Sequence, residues 1–124
     1  MIVTVLIPLP VFHNPDEQGN REPIEDEHFV QTAEEITKMF PDGGGTLSIF
    51  RGGQVRGFWW DRGVVDKDVL ALLEVDLEDT PANRERVTAY AKEILRERFR
   101  QKAIYVKWIG PIETWIVRDE VEVK

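Results

Sequence analysis

Two helical periods separated by extended segments predict an α+β fold. The first period is Phe29, Ala33, Ile36 and Phe40, on one face of a 3.6-residue repeat. The second is Val87, Tyr90, Ala91, Ile94 and Leu95, closed by Phe99. Between them Leu73, Val75 and Leu77 alternate with Glu74, Asp76 and Glu78, the two-residue repeat of a strand with one buried face. The chain has 124 residues, 42% hydrophobic and 31% charged. That balance is too apolar for a disordered chain and too charged for a membrane one, and the length predicts a single domain over 1–124.

In chain order, Ile2 to Leu9 is a near-continuous apolar run, a buried strand ended by Pro8 and Pro10. Residues 9–24 follow as a long polar loop, a length that often carries function. Asp26 to Phe40 reads as a helix, with Glu25, Asp26 and Glu27 suiting the positive end of its dipole. Pro41 and Gly43-Gly44-Gly45 stop it, and Thr46 to Phe50 is a second strand. Gln54 to Asp61 is a third extended piece with Gly57 as a bulge, and Arg62-Gly63 turns into a long strand, Asp68 to Leu77. Thr80 caps the second helix with Pro81 in its first position, and the helix runs to Phe99. Ala103 to Ile109 is a strand broken by Gly110-Pro111, Ile112 to Val117 resumes it, and 118–124 is a charged tail. This order predicts a ferredoxin-like β-α-β-β-α-β sandwich: an antiparallel sheet with both helices on one face and the acidic positions of the long strand on the other.

Charge is uneven. The net charge of −7 divides into 16 acids against 6 bases over residues 1–83, 3 against 8 over 84–107, and 4 against 2 over 108–124. The overall negative field disfavours nucleic acid at long range. No apolar stretch reaches the roughly 18 residues of a membrane span. Cysteine is absent, which removes disulfides, thiolate zinc sites and cysteine nucleophiles. The apolar start has no basic residue before it and no small-residue cleavage site after it, so it reads as a strand of a cytoplasmic protein.

Part of the pattern resembles a group of small bacterial proteins of unknown function. The residues are Phe40, Gly44, Gly45 and Thr46, then Gly57 with Trp59 or Trp60, Gly63 and Asp66, then Phe99, Gln101, Ile104, Tyr105, Val106, Gly110 and Glu113. The turn Phe40-Pro41-Asp42-Gly43 also resembles that of a family of small secreted proteins of unknown function, with Gly44-Gly45 interrupting before Thr46. These are turn and packing residues over roughly residues 29–113. The resemblance implies the fold and no activity.

Three constellations carry chemistry. His13 and His28 are the only histidines, and with a nearby carboxylate, Asp16, Glu17, Glu25, Asp26 or Glu27 and among these Asp26 foremost, they suit acid–base or divalent-metal chemistry; against that, they lie 15 residues apart with no recognised ligand spacing. Glu74, Asp76 and Glu78 share a strand face within reach of a hard cation; the plainer reading is a solvated face paired with Lys107 or Arg56. Trp59 and Trp60, flanked by Arg56 and Arg62, put one ring on each face of a strand, and Trp115 adds another near the chain's end. Exposed Trp and Arg suit a ligand ring or, more commonly, a protein interface. No cofactor fingerprint is present: the triple glycine follows a helix, whereas phosphate loops precede one. The leading expectation is a non-enzymatic binding or assembly module, homodimeric through an exposed sheet edge or the Trp59–Trp60 hairpin, with at least one of Trp59, Trp60 or Trp115 in the interface. The alternative is a small enzyme with a His/carboxylate site under the 9–24 loop.

Overall fold

The computed structural model describes residues 1–40, 56–61, 64–119 and 121–123. Its elements are β1 (Ile2–Pro10), α1 (Asp26–Met39), β2 (Arg56–Asp61), β3 (Val64–Glu78), α2 (Pro81–Tyr90), a π-helical turn (Ala91–Leu95) that continues α2 into a last turn α3 (Arg96–Arg98), β4 (Lys107–Ile112), β5 (Trp115–Val117) and β6 (Val121–Val123). The architecture is α+β. Four strands form an antiparallel sheet in the order β2-β3-β1-β4, and β5 and β6 form a separate hairpin.

Alternation along the central strands builds the core. Val3, Val5, Ile7 and Leu9 of β1 and Ala71, Leu73, Val75 and Leu77 of β3 are buried, and they join Phe29, Ile36 and Phe40 from the first helix and Val87, Tyr90, Ala91, Leu95 and Phe99 from the second in one cluster. Paired positions of an antiparallel ladder share a face, so Val5, Val75 and Trp108 point to the helices, and Thr4, Asp76 and Ile109 away from them. Phe29 and Phe99, with ring centroids 5.2 Å apart, join the two helical segments at the centre.

Several sequence expectations change. β1 runs through Pro8, one residue past the expected Leu9, to Pro10. It can do so because β4 pairs with β1 only as far as Leu6↔Lys107, so at Pro8 and Pro10 β1 has a neighbour on one side only and the missing N–H groups cost no ladder bond. For the same reason residues 103–106 are irregular and β4 starts at Lys107. Gly110-Pro111 does not break β4: Ile2↔Ile112 and Thr4↔Ile109 set three steps of β4 against two of β1, so the pair is absorbed as a bulge. Gly110 is needed there because a Cβ would lie 2.6 Å from Val3 Cγ1. Gly57, by contrast, makes no bulge, since β2 and β3 pair without a register shift from Arg56↔Val69 to Asp61↔Val64. The charged tail contains β6, which pairs with β5. The expected strand Thr46 to Phe50 and the turn residues Arg62 and Gly63 lie outside the described residues.

Both helix starts follow their sequence signals. Asp26 and Glu27 occupy the first turn of α1, and the Thr80 hydroxyl accepts from Asn83 N at 3.1 Å with Pro81 next to it. Ile94 departs from expectation. The π-helical turn adds residues to one turn, so burial passes from Ala91 to Leu95 and Phe99, and Ile94 is left 37% exposed. Among the described residues no helix is long and apolar enough to cross a membrane.

Candidate functional site

The 9–24 segment is a folded hairpin rather than an open loop. Ile24 N donates to Val11 O and His13 N to Glu22 O, both at 2.8 Å, with Phe12 bridged to Pro23. At its tip Asp16 Oδ1 accepts from Gln18 N and Asn20 N at 2.9 Å, and Gly19 takes the left-handed conformation (φ 82°) that glycine adopts without steric cost. Arg21 Nε donates to His13 O at 3.1 Å. Buried Ile24 anchors the returning arm in the core and delivers the chain to the start of α1.

That closure brings the two histidines together. His13 Nε2 lies 3.3 Å and His28 Nε2 3.2 Å from the same oxygen, Glu25 Oε2. Glu25 stands at the N-cap of α1, yet its side chain makes no capping bond and turns to the imidazoles. Its carboxyl is held below the usual range, chiefly by its own backbone amide and then, against a desolvation penalty, by His13 and His28. The His28 ring sits edge-on to Phe99. His13 Nδ1 is buried with no partner among the described residues. The carboxylate that joins the imidazoles is thus Glu25 and not the expected Asp26, which is exposed beside it. His13 meets that oxygen as a hydrogen-bond partner and His28 as a close polar contact. Among the described residues no three His, Cys, Asp or Glu side chains are grouped to hold a metal ion.

Two of the three ladder carboxylates have partners within the chain. Glu78 Oε1 accepts from the Met1 ammonium and Asp76 Oδ1 from the Thr4 hydroxyl, each at 2.5 Å. Glu74 is in register with Leu6, which separates it from Lys107 in the same row. Arg56 is not across from the ladder, because it pairs with Val69. Trp59 and Trp60 sit on β2 opposite Asp66 and Val65. The side chains at 56, 59 and 60, and Arg62 altogether, lie outside the described part.

Trp115 is the expected interface residue that is fully in view. It is 58% exposed and Val117 70%, on a hairpin whose register sets Trp115 opposite Val123 and Val117 opposite Val121, so all four paired positions are apolar in sequence. The indole N–H donates to Glu113 Oε1 at 2.6 Å, which satisfies the ring's one polar atom and fixes its orientation.

Nothing in the sequence pattern marks the polar clamp between the helices. Arg98 donates to Glu35 Oε1 and Oε2 at 2.5 and 3.0 Å, to Thr32 Oγ1 at 2.8 Å and to Tyr90 Oη at 3.2 Å, and the Tyr90 hydroxyl donates to Glu35 Oε2 at 3.0 Å. Arg98 holds the Glu35 carboxyl below its usual range. Burial, with the bond to Glu35 next, pushes the Tyr90 phenol up to about 12. A phenol raised in this way does not serve as a base at neutral pH, and a network so fully paired is structural.

Compared with known proteins, the chain matches no family model, no curated protein and no solved structure.

Proposed function

We propose that this chain is a small non-enzymatic assembly module of ferredoxin-like architecture that works as a two-fold homodimer. The fold part is supported by the strand order β2-β3-β1-β4 with every pair antiparallel, and by helices leading from β1 to β2 and from β3 to β4. The assembly part rests on one observation above others: Trp115 and Val117 are exposed on a hairpin that is not part of the main sheet. A two-stranded hairpin is marginal in water without something covering its apolar face, and exposed tryptophans of this kind anchor interfaces. Light scattering at micromolar concentration gives twice the 14.4 kDa chain mass on this reading. Trp115→Glu gives a folded monomer; a W115E chain that stays dimeric contradicts it.

A second reading, an acid–base enzyme, is favoured by the convergence of His13 and His28 on Glu25 Oε2. A carboxylate that orients an imidazole is the usual support of a histidine base.

A further inference from the structure

We infer that two copies meet through the open face of the four-stranded sheet, about a two-fold axis that runs along β1 and sets Lys107 of each copy over Glu74 of the other. This rests on the assembly reading and adds to its tryptophan the surface and the orientation of the contact.

The composition of β1 points to a covered face. An antiparallel strand with one side in water alternates apolar and polar residues, and a strand apolar on both sides is the pattern of a sheet covered on both. Val3, Val5, Ile7 and Leu9 of β1 enter the core under the helices. The positions between them are Ile2, Thr4, Leu6 and Pro8, and Thr4 is the one polar residue of the strand. Leu72, in register with Pro8, and Ile109, in register with Thr4, continue that apolar surface onto β3 and β4.

Charge fixes how a second copy sits on it. Lys107, Leu6 and Glu74 form one row across β4, β1 and β3. Adjacent strands lie about 4.8 Å apart, so the two charges stand roughly 10 Å from each other with Leu6 between them. Asp76 and Glu78 have partners within the chain, whereas neither Glu74 nor Lys107 has a hydrogen bond or an ion pair among the described residues. Glu74 is nonetheless half-buried, and a carboxylate drawn out of water is offset by a cation. A row that is positive at one end, apolar in the middle and negative at the other is complementary to its own copy. A two-fold axis along β1, midway between the faces, lays the row on itself with its ends exchanged. Leu6 then meets Leu6, and Lys107 meets Glu74 twice. An axis across the strands sets Lys107 on Lys107 and Glu74 on Glu74, the like-charge arrangement that association avoids. The arrangement along β1 is the aligned packing of a β-sandwich and closes at two copies. The hairpin that carries Trp115 follows β4 after two residues, at one end of this sheet.

The test is a charge exchange, with each variant checked for native circular dichroism. K107E and E74K each associate with themselves at least about tenfold more weakly than the wild type by sedimentation equilibrium, because both cross-dimer pairs become like-charged. Mixed in equal amounts with one chain labelled, the two associate at least about tenfold more tightly than either does with itself, because a chain with two acids at these positions then faces a chain with two bases. Lys92→Glu makes the same change of net charge on the second helix and leaves the dimer as it is. A K107E chain that dimerises like the wild type, a mixture no tighter than its components, or a K92E chain weakened as much as K107E overturns the sheet-face contact while leaving a dimer in place. A wild type that is itself monomeric overturns the assembly reading beneath it.

Discussion

Replacing Arg98 by Ala removes the centre of the interhelical clamp. The guanidinium makes four hydrogen bonds, two of them to the Glu35 carboxylate, and its side chain is 11% exposed. Breaking a fully buried ion pair by deleting one partner costs roughly 3–5 kcal/mol, which is an upper bound here. The Glu35 side chain is 33% exposed and regains water, and Thr32 keeps its donation to His28 O at 2.7 Å. The remaining cost is the charge-assisted bonding and the packing of the arginine stem, about 2–3 kcal/mol. For a domain of this size that lowers Tm by roughly 6–15 °C. Urea unfolding of wild type, R98A, E35A and the double variant measures it, with a coupling of about 1–2 kcal/mol between the pair. The pH dependence follows from the lowered Glu35 pKa, whose first cause is Arg98. The stability that Glu35 contributes is fully present above the unfolded carboxylate value and is lost as pH falls through the lower folded value. In R98A that part of the acid limb flattens. An R98A chain within about 0.5 kcal/mol of wild type, or an unchanged acid limb, refutes the clamp.

Gly110→Ala places a Cβ against Val3 in the core face of β1, with contacts of 2.6 and 3.2 Å to a central strand, and destabilises by about 1–3 kcal/mol in the same unfolding assay. The acid–base reading is examined by a thermal-shift screen of metabolites against wild type and a Glu25→Ala variant: a compound that raises Tm of the wild type and not of E25A supports it, and one that raises both equally counts against it.

What the sequence revealed and what it hid divide along physical lines. Periodicity and capping are local, so both helix starts, the alternation at Leu73, Val75 and Leu77, and the hairpin joining β2 to β3 were legible. Gly110-Pro111 misled, because whether a proline ends a strand depends on how its neighbours are paired, and pairing is not local. Ile94 misled because a π-helical turn shifts the helical phase without a residue signature. The candidate site was half legible. His13 and His28 were visible by type, but their meeting depends on a hairpin that closes through backbone bonds between residues 11 and 24, and that closure selects Glu25 over Asp26. The Glu35–Arg98 pair spans 63 residues and leaves no mark in either neighbourhood.

The assembly reading turns most directly on the mass of the unmodified chain. Sedimentation equilibrium across the micromolar range gives twice 14.4 kDa if exposed Trp115 and Val117 serve a second copy. A mass of 14.4 kDa at every concentration contradicts it.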